Sequence, residues 1–202
     1  MCGIAGILNL TSHTPPERET LERMGATINH RGPDDEGFYL EPAFGMVSRR
    51  LSIVDVGGGH QPIANEDGTV QVIQNGEIYN APALTLELLA RGHRFKTHSD
   101  TEVIAHTYEE WGVECVRRLR GMFALAVWDV KRDRLLLARD RFGIKPLYFA
   151  QNEGQLLFAS EFVPLFAAAA RRCADRAALW ELFGTGWVVA PRTVFDGIHA
   201  LP

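Results

Sequence analysis

The sequence predicts an α+β fold built in layers, with sheets that are mostly antiparallel. Three observations carry this. Consecutive strands are joined by short polar hairpins, some strands are apolar on both of their faces, and the helices come in groups between them. The clearest strand is FALAVWD at 123–129, with Phe123, Leu125 and Val127 on one face and Ala124, Ala126 and Trp128 on the other. Side chains alternate across a strand, so a strand apolar on both sides needs one layer above it and another below.

Composition sets the frame. The chain has 202 residues, 46% hydrophobic and 23% charged, with a formal net charge of −4. Length and composition suit one globular domain over residues 1–202. A nucleic-acid module usually shows a basic excess, so no nucleic-acid partner is expected, and the run Arg117-Arg118-x-Arg120 reads as a solvated helix face. Three scattered cysteines are too few for a disulfide framework or a zinc site. Cys115 and Cys173 read as buried small hydrophobes. No basic leader precedes a long apolar run, and the opening apolar stretch falls short of the roughly 20 residues that span a bilayer. The expected setting is the reducing cytoplasm, with no membrane partner.

In chain order, CGIAGILNL at 2–10 reads as a strand covered on both faces. Pro15-Pro16 starts a helix whose Leu21, Met24 and Ile28 share one face. HRGPDDEG at 30–37 reads as a charged loop held by its own hydrogen bonds. Strands follow at 38–40, 44–48 and 51–54, then a flexible Gly57-Gly58-Gly59 link without the flanks of a phosphate cradle. Residues 70–74 alternate as a strand that ends at Asn75-Gly76, a pair that normally marks a tight turn. A helix is expected over 82–91, closed by Gly92. Ser99-Asp100-Thr101-Glu102 has the form of a capping box opening a helix that stops at Gly112. Hairpins are expected around 130–134 and 151–154, helices at 161–171 and 175–183, and irregular chain from 187 to 202.

The second residue stands apart chemically. If Met1 is removed, Cys2 becomes the terminus and carries a thiol and a free α-amine together. An α-amine titrates near about 8 and a thiol near about 8.5, so one residue would supply both nucleophile and base.

Seven polar clusters then follow in order. They are Cys2-Gly3-Ile4, Arg31-Gly32-Pro33-Asp34, RLSIVD at 50–55, NGEIYN at 75–80, SDTE at 99–102, GMFA at 121–124 and ARDRFGIKPLY at 138–148. Together they make the chain resemble, over nearly its whole length, the glutaminase domain of glutamine-hydrolysing asparagine synthetase, a class II glutamine amidotransferase of the N-terminal-nucleophile hydrolase group. The resemblance implies a four-layer α-β-β-α sandwich. It implies that Cys2 attacks the side-chain amide of glutamine and that the Asn75 side chain and the Gly76 backbone N–H form the oxyanion hole. It implies that Arg50 holds the substrate carboxylate while Glu77 and Asp100 hold its ammonium. These residue types suit those tasks: fixed donors stabilise the developing oxyanion, and an arginine fork matches a carboxylate. Arg31–Asp34 receive no catalytic role, and His60 and His98 are read as structural or peripheral.

The expected reaction is acyl transfer through a glutamyl thioester, releasing ammonia and then glutamate. No metal and no cofactor is expected in this chain, which shows no ligand cluster by spacing. ATP and Mg²⁺ belong, by resemblance, to a synthetase domain acting in cis or in trans, and the chain stops at Leu201-Pro202 without a Ser-Gly-Gly-x-Asp-Ser loop. The expected partners are glutamine and that synthetase domain, with a homodimer also allowed. An apolar patch near the C-terminus is expected where the partner domain would sit. Asparagine made from aspartate is the expected end product. The alternatives are an asparagine-synthetase-like enzyme amidating another carboxylate, an amidotransferase domain of another pathway, or a non-catalytic regulatory module that keeps the fold.

Overall fold

A computed structural model describes residues 1–52, 55 and 57–202. In chain order the elements are β1 (Gly3–Asn9), α1 (Arg18–Thr27), β2 (Asp35–Glu41), β3 (Phe44–Arg50), β4 (Ile63–Ala64) and β5 (Val70–Ile78). They continue with α2 (Ala81–Ala90), α3 (Asp100–Trp111), β6 (Gly121–Asp129), β7 (Arg134–Arg139), β8 (Tyr148–Asn152) and β9 (Gln155–Ala159). α4 (Phe162–Ala167), α5 (Arg176–Thr185) and β10 (Ile198–Ala200) complete the chain.

The strands form two sheets, in the orders β10-β8-β9-β1-β3-β2 and β4-β5-β6-β7. Every neighbouring pair in them is antiparallel. Three apolar cores separate four layers. Leu21, Met24 and Ile28 of α1 and Leu165 of α4 pack on Ala5, Ile7, Val47 and Leu157 of the first sheet. Ile4, Phe44, Met46 and Phe158 of that sheet meet Ile73, Ala124, Ala126 and Trp128 of the second. Val72, Phe123, Leu125 and Val127 on the far side pack under Leu84, Leu88, Ile104 and Tyr108 of α2 and α3. The layers therefore run helix, sheet, sheet, helix.

Strand β6 supplies alternate residues to two of these cores, in the partition that its sequence predicts. Between the sheets Trp128 stacks on Phe44 with ring centroids 4.3 Å apart. Within the first sheet the Phe158 ring of β9 lies over its β1 partner Gly6, where a Cβ would come 2.4 Å from the ring.

Several expectations change. Asn75-Gly76 is no turn: both residues continue β5, which runs on to Ile78 opposite Gly121. Cross-strand pairing with β6 overrides the local turn preference of the pair. The charged loop at 30–37 yields its last three residues to β2. The helix expected over 161–171 spans only Phe162–Ala167, with Ala169 at φ 67 beyond it. The irregular C-terminal stretch contributes β10, paired to β8. Leu51 and Ser52 leave β3 without joining a strand, and positions 53–54 of the strand expected there lie outside the described residues. The Arg117–Arg120 run sits on the last residue of a six-residue 3₁₀ segment and its exit, not on an α-helix face, and Arg118 packs 3.9 Å over the Trp111 ring.

Candidate active site

The register of the first sheet does the first positioning. β1 pairs with β3 so that Gly3 faces Arg49, which brings Cys2 and Arg50 to the same sheet edge. The end of β5 and the start of α3 arrive there from the second sheet and its helical layer. A cavity of about 140 Å³ forms where they meet, lined by Cys2, Arg50, Gln61, Asn75, Gly76, Glu77, Asp100, Met122 and Lys145, with Met1 beside them. All six residues singled out in the sequence line this one cavity.

Cys2 is half-buried, and its thiol donates to the Leu51 carbonyl across 3.8 Å. Its backbone is held firmly. The Cys2 carbonyl accepts from Arg31 Nε at 3.0 Å. Arg31 Nη1 in turn donates to Glu161 at 2.7 Å, and His30 Nε2 lies 3.0 Å from the same carboxylate oxygen. Burial works to raise the Glu161 pKa, but the Arg31 and His30 contacts outweigh it and hold the carboxyl below its ordinary value. On the other side of Cys2, the Ile4 N–H donates to Ser160 Oγ and the Ser160 N–H to the Ile4 carbonyl. Arg31 is therefore more than part of a self-contained loop. Its link to Cys2 spans 29 residues, and no local pattern signals it.

Asn75 is fully buried, and among the described residues neither its side-chain oxygen nor its nitrogen has a hydrogen-bond partner. Buried amides are normally paired, so this one stands ready for a group the protein does not supply. Gly76 follows at φ 151, and a Cβ there would lie 2.1 Å from the Met122 carbonyl oxygen. Only glycine fits that close approach between β5 and β6.

Asp100 is the first residue of α3, where a carboxylate also suits the positive end of the helix. Its Oδ2 accepts from the Ile78 N–H at 2.8 Å and from Gln74 Nε2 at 3.2 Å. Beneath it Thr101 Oγ1 donates to Gln74 Oε1, Gln61 Nε2 donates to Thr101 Oγ1, and Ser48 Oγ donates to Gln61 Oε1. This buried network locks the floor of the cavity. Glu77 stands exposed at its rim. Arg50 is buried, and its Nη2 donates to the Asp55 carbonyl at 2.7 Å. Gly59 allows this, since a Cβ there would lie 2.3 Å from that nitrogen.

The capping box is half formed. Ser99 Oγ accepts from the Thr101 N–H, but Glu102 does not turn back to Ser99. Its carboxylate accepts instead from the Lys96 N–H, the Thr97 N–H and Thr97 Oγ1, at 2.6–2.7 Å. Glu102 thereby fixes the loop that leads into α3. A second loop reaches the site through Asp140, whose carboxylate accepts from the backbone N–H groups of Phe123, Phe142, Ile144 and Lys145. These donors overcome the effect of burial and hold its pKa below the ordinary range. They also place the Lys145 ammonium in the cavity, 3.2 Å from Met1 Sδ. Lys145 and Gln61 are site residues that the sequence reading passes over.

Comparison with known proteins now decides the family. A profile described as "Glutamine amidotransferase domain" matches residues 1–202. The chain belongs to the glutamine amidotransferase domain family. Asparagine synthetase [glutamine-hydrolyzing] 3 of Bacillus subtilis is 43% identical over 205 residues, covering 100% of this chain and 33% of that protein. Asparagine synthetase [glutamine-hydrolyzing] 2 of the same organism is 47% identical over 169 residues, covering 83% and 22%. This amidotransferase domain thus spans about a third or less of the curated relatives it matches. Among solved structures, glutamine phosphoribosylpyrophosphate amidotransferase from B. subtilis superposes with a TM-score of 0.66 at 21% identity, over 83% of this chain and 44% of that one. A regulatory enzyme of purine biosynthesis superposes with a TM-score of 0.68, also at 21% identity, over 83% and 43%. At that identity the likeness speaks to the fold alone, the layered helix-sheet-sheet-helix sandwich described above. Among the described residues no helix is long and apolar enough to cross a membrane.

Proposed function

We propose that this domain hydrolyses glutamine to glutamate and ammonia with Cys2 as nucleophile. The observation that carries the proposal is the buried Asn75 amide, unpaired beside Gly76 in the cavity that Cys2 lines. Loss of Met1 frees the Cys2 α-amine. That amine takes the thiol proton, and the thiolate attacks the substrate carboxamide carbon. The tetrahedral oxyanion is received by the Asn75 Nδ2–H₂ and the Gly76 N–H, donors that typically contribute 100- to 1,000-fold each. The intermediate collapses with cleavage of the C–N bond, and the amine proton leaves with ammonia. Water then cleaves the thioester to glutamate. Arg50 takes the substrate α-carboxylate, and Asp100 and Glu77 its α-ammonium. Asp100 is already oriented by Ile78 and Gln74. Arg31 acts on Cys2 by holding its carbonyl. No step in this sequence calls for a metal or an organic cofactor.

The ammonia serves a synthetase domain, with asparagine formation from aspartate as the reaction best supported by the curated relatives. ATP and Mg²⁺ belong to that domain. Trp180, Phe183, Trp187 and Val189 are 58–83% exposed on and just after α5, and this C-terminal apolar face is where we place its docking. A free thiol nucleophile suits the reducing cytoplasm.

The test is N-terminal mass analysis combined with glutamate release by wild type and Cys2→Ala. Wild type lacking Met1 should release glutamate, and Cys2→Ala should lose at least 1,000-fold. Retention of Met1 with activity insensitive to the substitution would sink the mechanism.

A further inference from the structure

Away from this cavity, the fold gathers four side chains that sequence spacing leaves apart. Glu66 lies between β4 and β5, His93 follows α2, and His106 and Glu109 sit one turn apart on α3. One potential ligand atom from each of the four falls within 4.8 Å of all the others. His93 Nδ1 is 3.2 Å from Glu66 Oε1 and 3.8 Å from Glu109 Oε2, while His106 Nδ1 is 3.2 Å from Glu66 Oε2. A tetrahedral ion with bonds of about 2.0–2.1 Å separates its ligand atoms by roughly 3.3 Å, so these spacings are already close to a coordination shell.

Two further observations point to an ion. His106 is completely buried, and among the described residues its Nδ1 makes no hydrogen bond despite its closeness to Glu66. Two atoms on one edge of a coordination tetrahedron stand in that relation, because each lone pair aims at the ion and not at the other ligand. The outer nitrogens are also accounted for. His106 Nε2 lies 3.4 Å from Glu102 Oε1, and His93 Nε2 lies 3.5 Å from Glu110 Oε2. Glu102 behind His106 favours the tautomer that leaves its inner nitrogen bare, as around many protein-bound metals, while His93 Nδ1 hydrogen-bonds Glu66 Oε1 at 3.2 Å, a contact the ion would replace. Asn65 Nδ2 orients Glu109 from 3.0 Å, the Arg94 N–H donates to Glu66 from 2.8 Å, and Arg91 pairs with Glu110. Glu109 is the most exposed member of the cluster and gives access from solvent.

We infer that Glu66, His93, His106 and Glu109 form a structural site for a divalent transition ion of the zinc type. Two neutral imidazoles and two carboxylates balance a doubly charged ion, and imidazole favours such ions over Mg²⁺ or Ca²⁺. The ion would staple the β4–β5 connection, the α2–α3 connection and the middle of α3 together. It sits about 9–13 Å along α3 from Asp100 at 1.5 Å per residue. It supports the layer that carries Asp100 and takes no part in the chemistry of Cys2.

The test is calorimetric titration of the chelator-stripped full chain with Zn²⁺, with thermal melting in parallel. One Zn²⁺ per chain should bind. A hundredfold excess over Kd should raise Tm by about 5–10 °C, and Mg²⁺ at the same concentration should leave it unmoved. His93→Gln and Glu109→Gln, which spare the fully buried His106, should each weaken Zn²⁺ at least tenfold while keeping the wild-type circular dichroism spectrum. Cys2→Ala should leave the affinity unchanged, which separates this site from the reactive thiol. Folded wild type that binds no Zn²⁺, an affinity that follows Cys2 in place of His93 and Glu109, or an equal response to Mg²⁺ would each overturn the assignment.

Discussion

A primary amide offers two donors and an acceptor, and leaving such groups buried and unpaired costs roughly 1–3 kcal/mol each. Asn75 accepts that cost in the resting fold, where both of its polar atoms are buried and unpartnered. The cost is recovered only when an oxygen enters the cavity. Asn75→Ala should therefore separate two properties that usually fall together. Glutaminase kcat should drop by about 100- to 1,000-fold, while stability in urea should stay within about 1 kcal/mol of wild type or rise. A kcat left intact would remove Asn75 from the oxyanion hole, and a loss of several kcal/mol would make it a structural residue. The contrast with Cys115 shows how surroundings set roles for one residue type. Burial pushes its thiol up to about 12, so it is an inert core side chain beneath α3, whereas Cys2 lines a cavity.

At the scale of elements, the site depends on how firmly β1 begins. The Cys2 carbonyl, immediately before the strand, hangs on Arg31, and Arg31 on Glu161. The Glu161 carboxyl has a folded pKa below its ordinary 4.5, so its pairing contributes stability above that value and loses it as pH falls through the lower, folded value. Glu161→Gln should cost about 1–2 kcal/mol at pH 7, and the gap between variant and wild type should close in acid. Urea midpoints measured from pH 7 down into acid test this, and a gap independent of pH would refute the charge-based account. The same scale shows what a sequence reveals. β6 was legible because each of its faces meets a continuous apolar layer, and alternation records that directly. β4 and β10 were not, because strands of two and three residues exist only through pairing with β5 and β8. Asn75-Gly76 misled because the pair suits a turn in isolation, while Gly76 here serves a close approach to β6. The six cavity residues were legible through resemblance, since each lies within a short motif. Arg31 on Cys2, Lys145 beside Met1, and the cluster of Glu66 with two histidines were not, because the contacts join positions dozens of residues apart.

At the scale of the whole molecule, the distribution of exposed apolar side chains is uneven. Trp180, Phe183, Trp187 and Val189 stand in solvent within ten residues of one another in the chain, with Trp180 and Phe183 one turn apart on α5. Isolated exposed apolar residues are ordinary, but a group containing two tryptophans and a phenylalanine is what interfaces concentrate. The Val189 N–H donates to Glu181 Oε1 and Arg192 pairs with Glu181, so the segment after α5 is folded back and held in place. A pre-formed aromatic face of this kind loses little freedom when it is covered. Phe183→Asp together with Trp187→Asp should therefore weaken association with the proposed synthetase domain at least 100-fold in a pull-down or calorimetric titration of the separately made parts. Glutamine hydrolysis by the isolated chain should stay within about twofold, because neither residue lines the Cys2 cavity. Undiminished association would move the docking surface elsewhere. A change from dimer to monomer in the isolated chain would instead show that the face joins two copies of this domain.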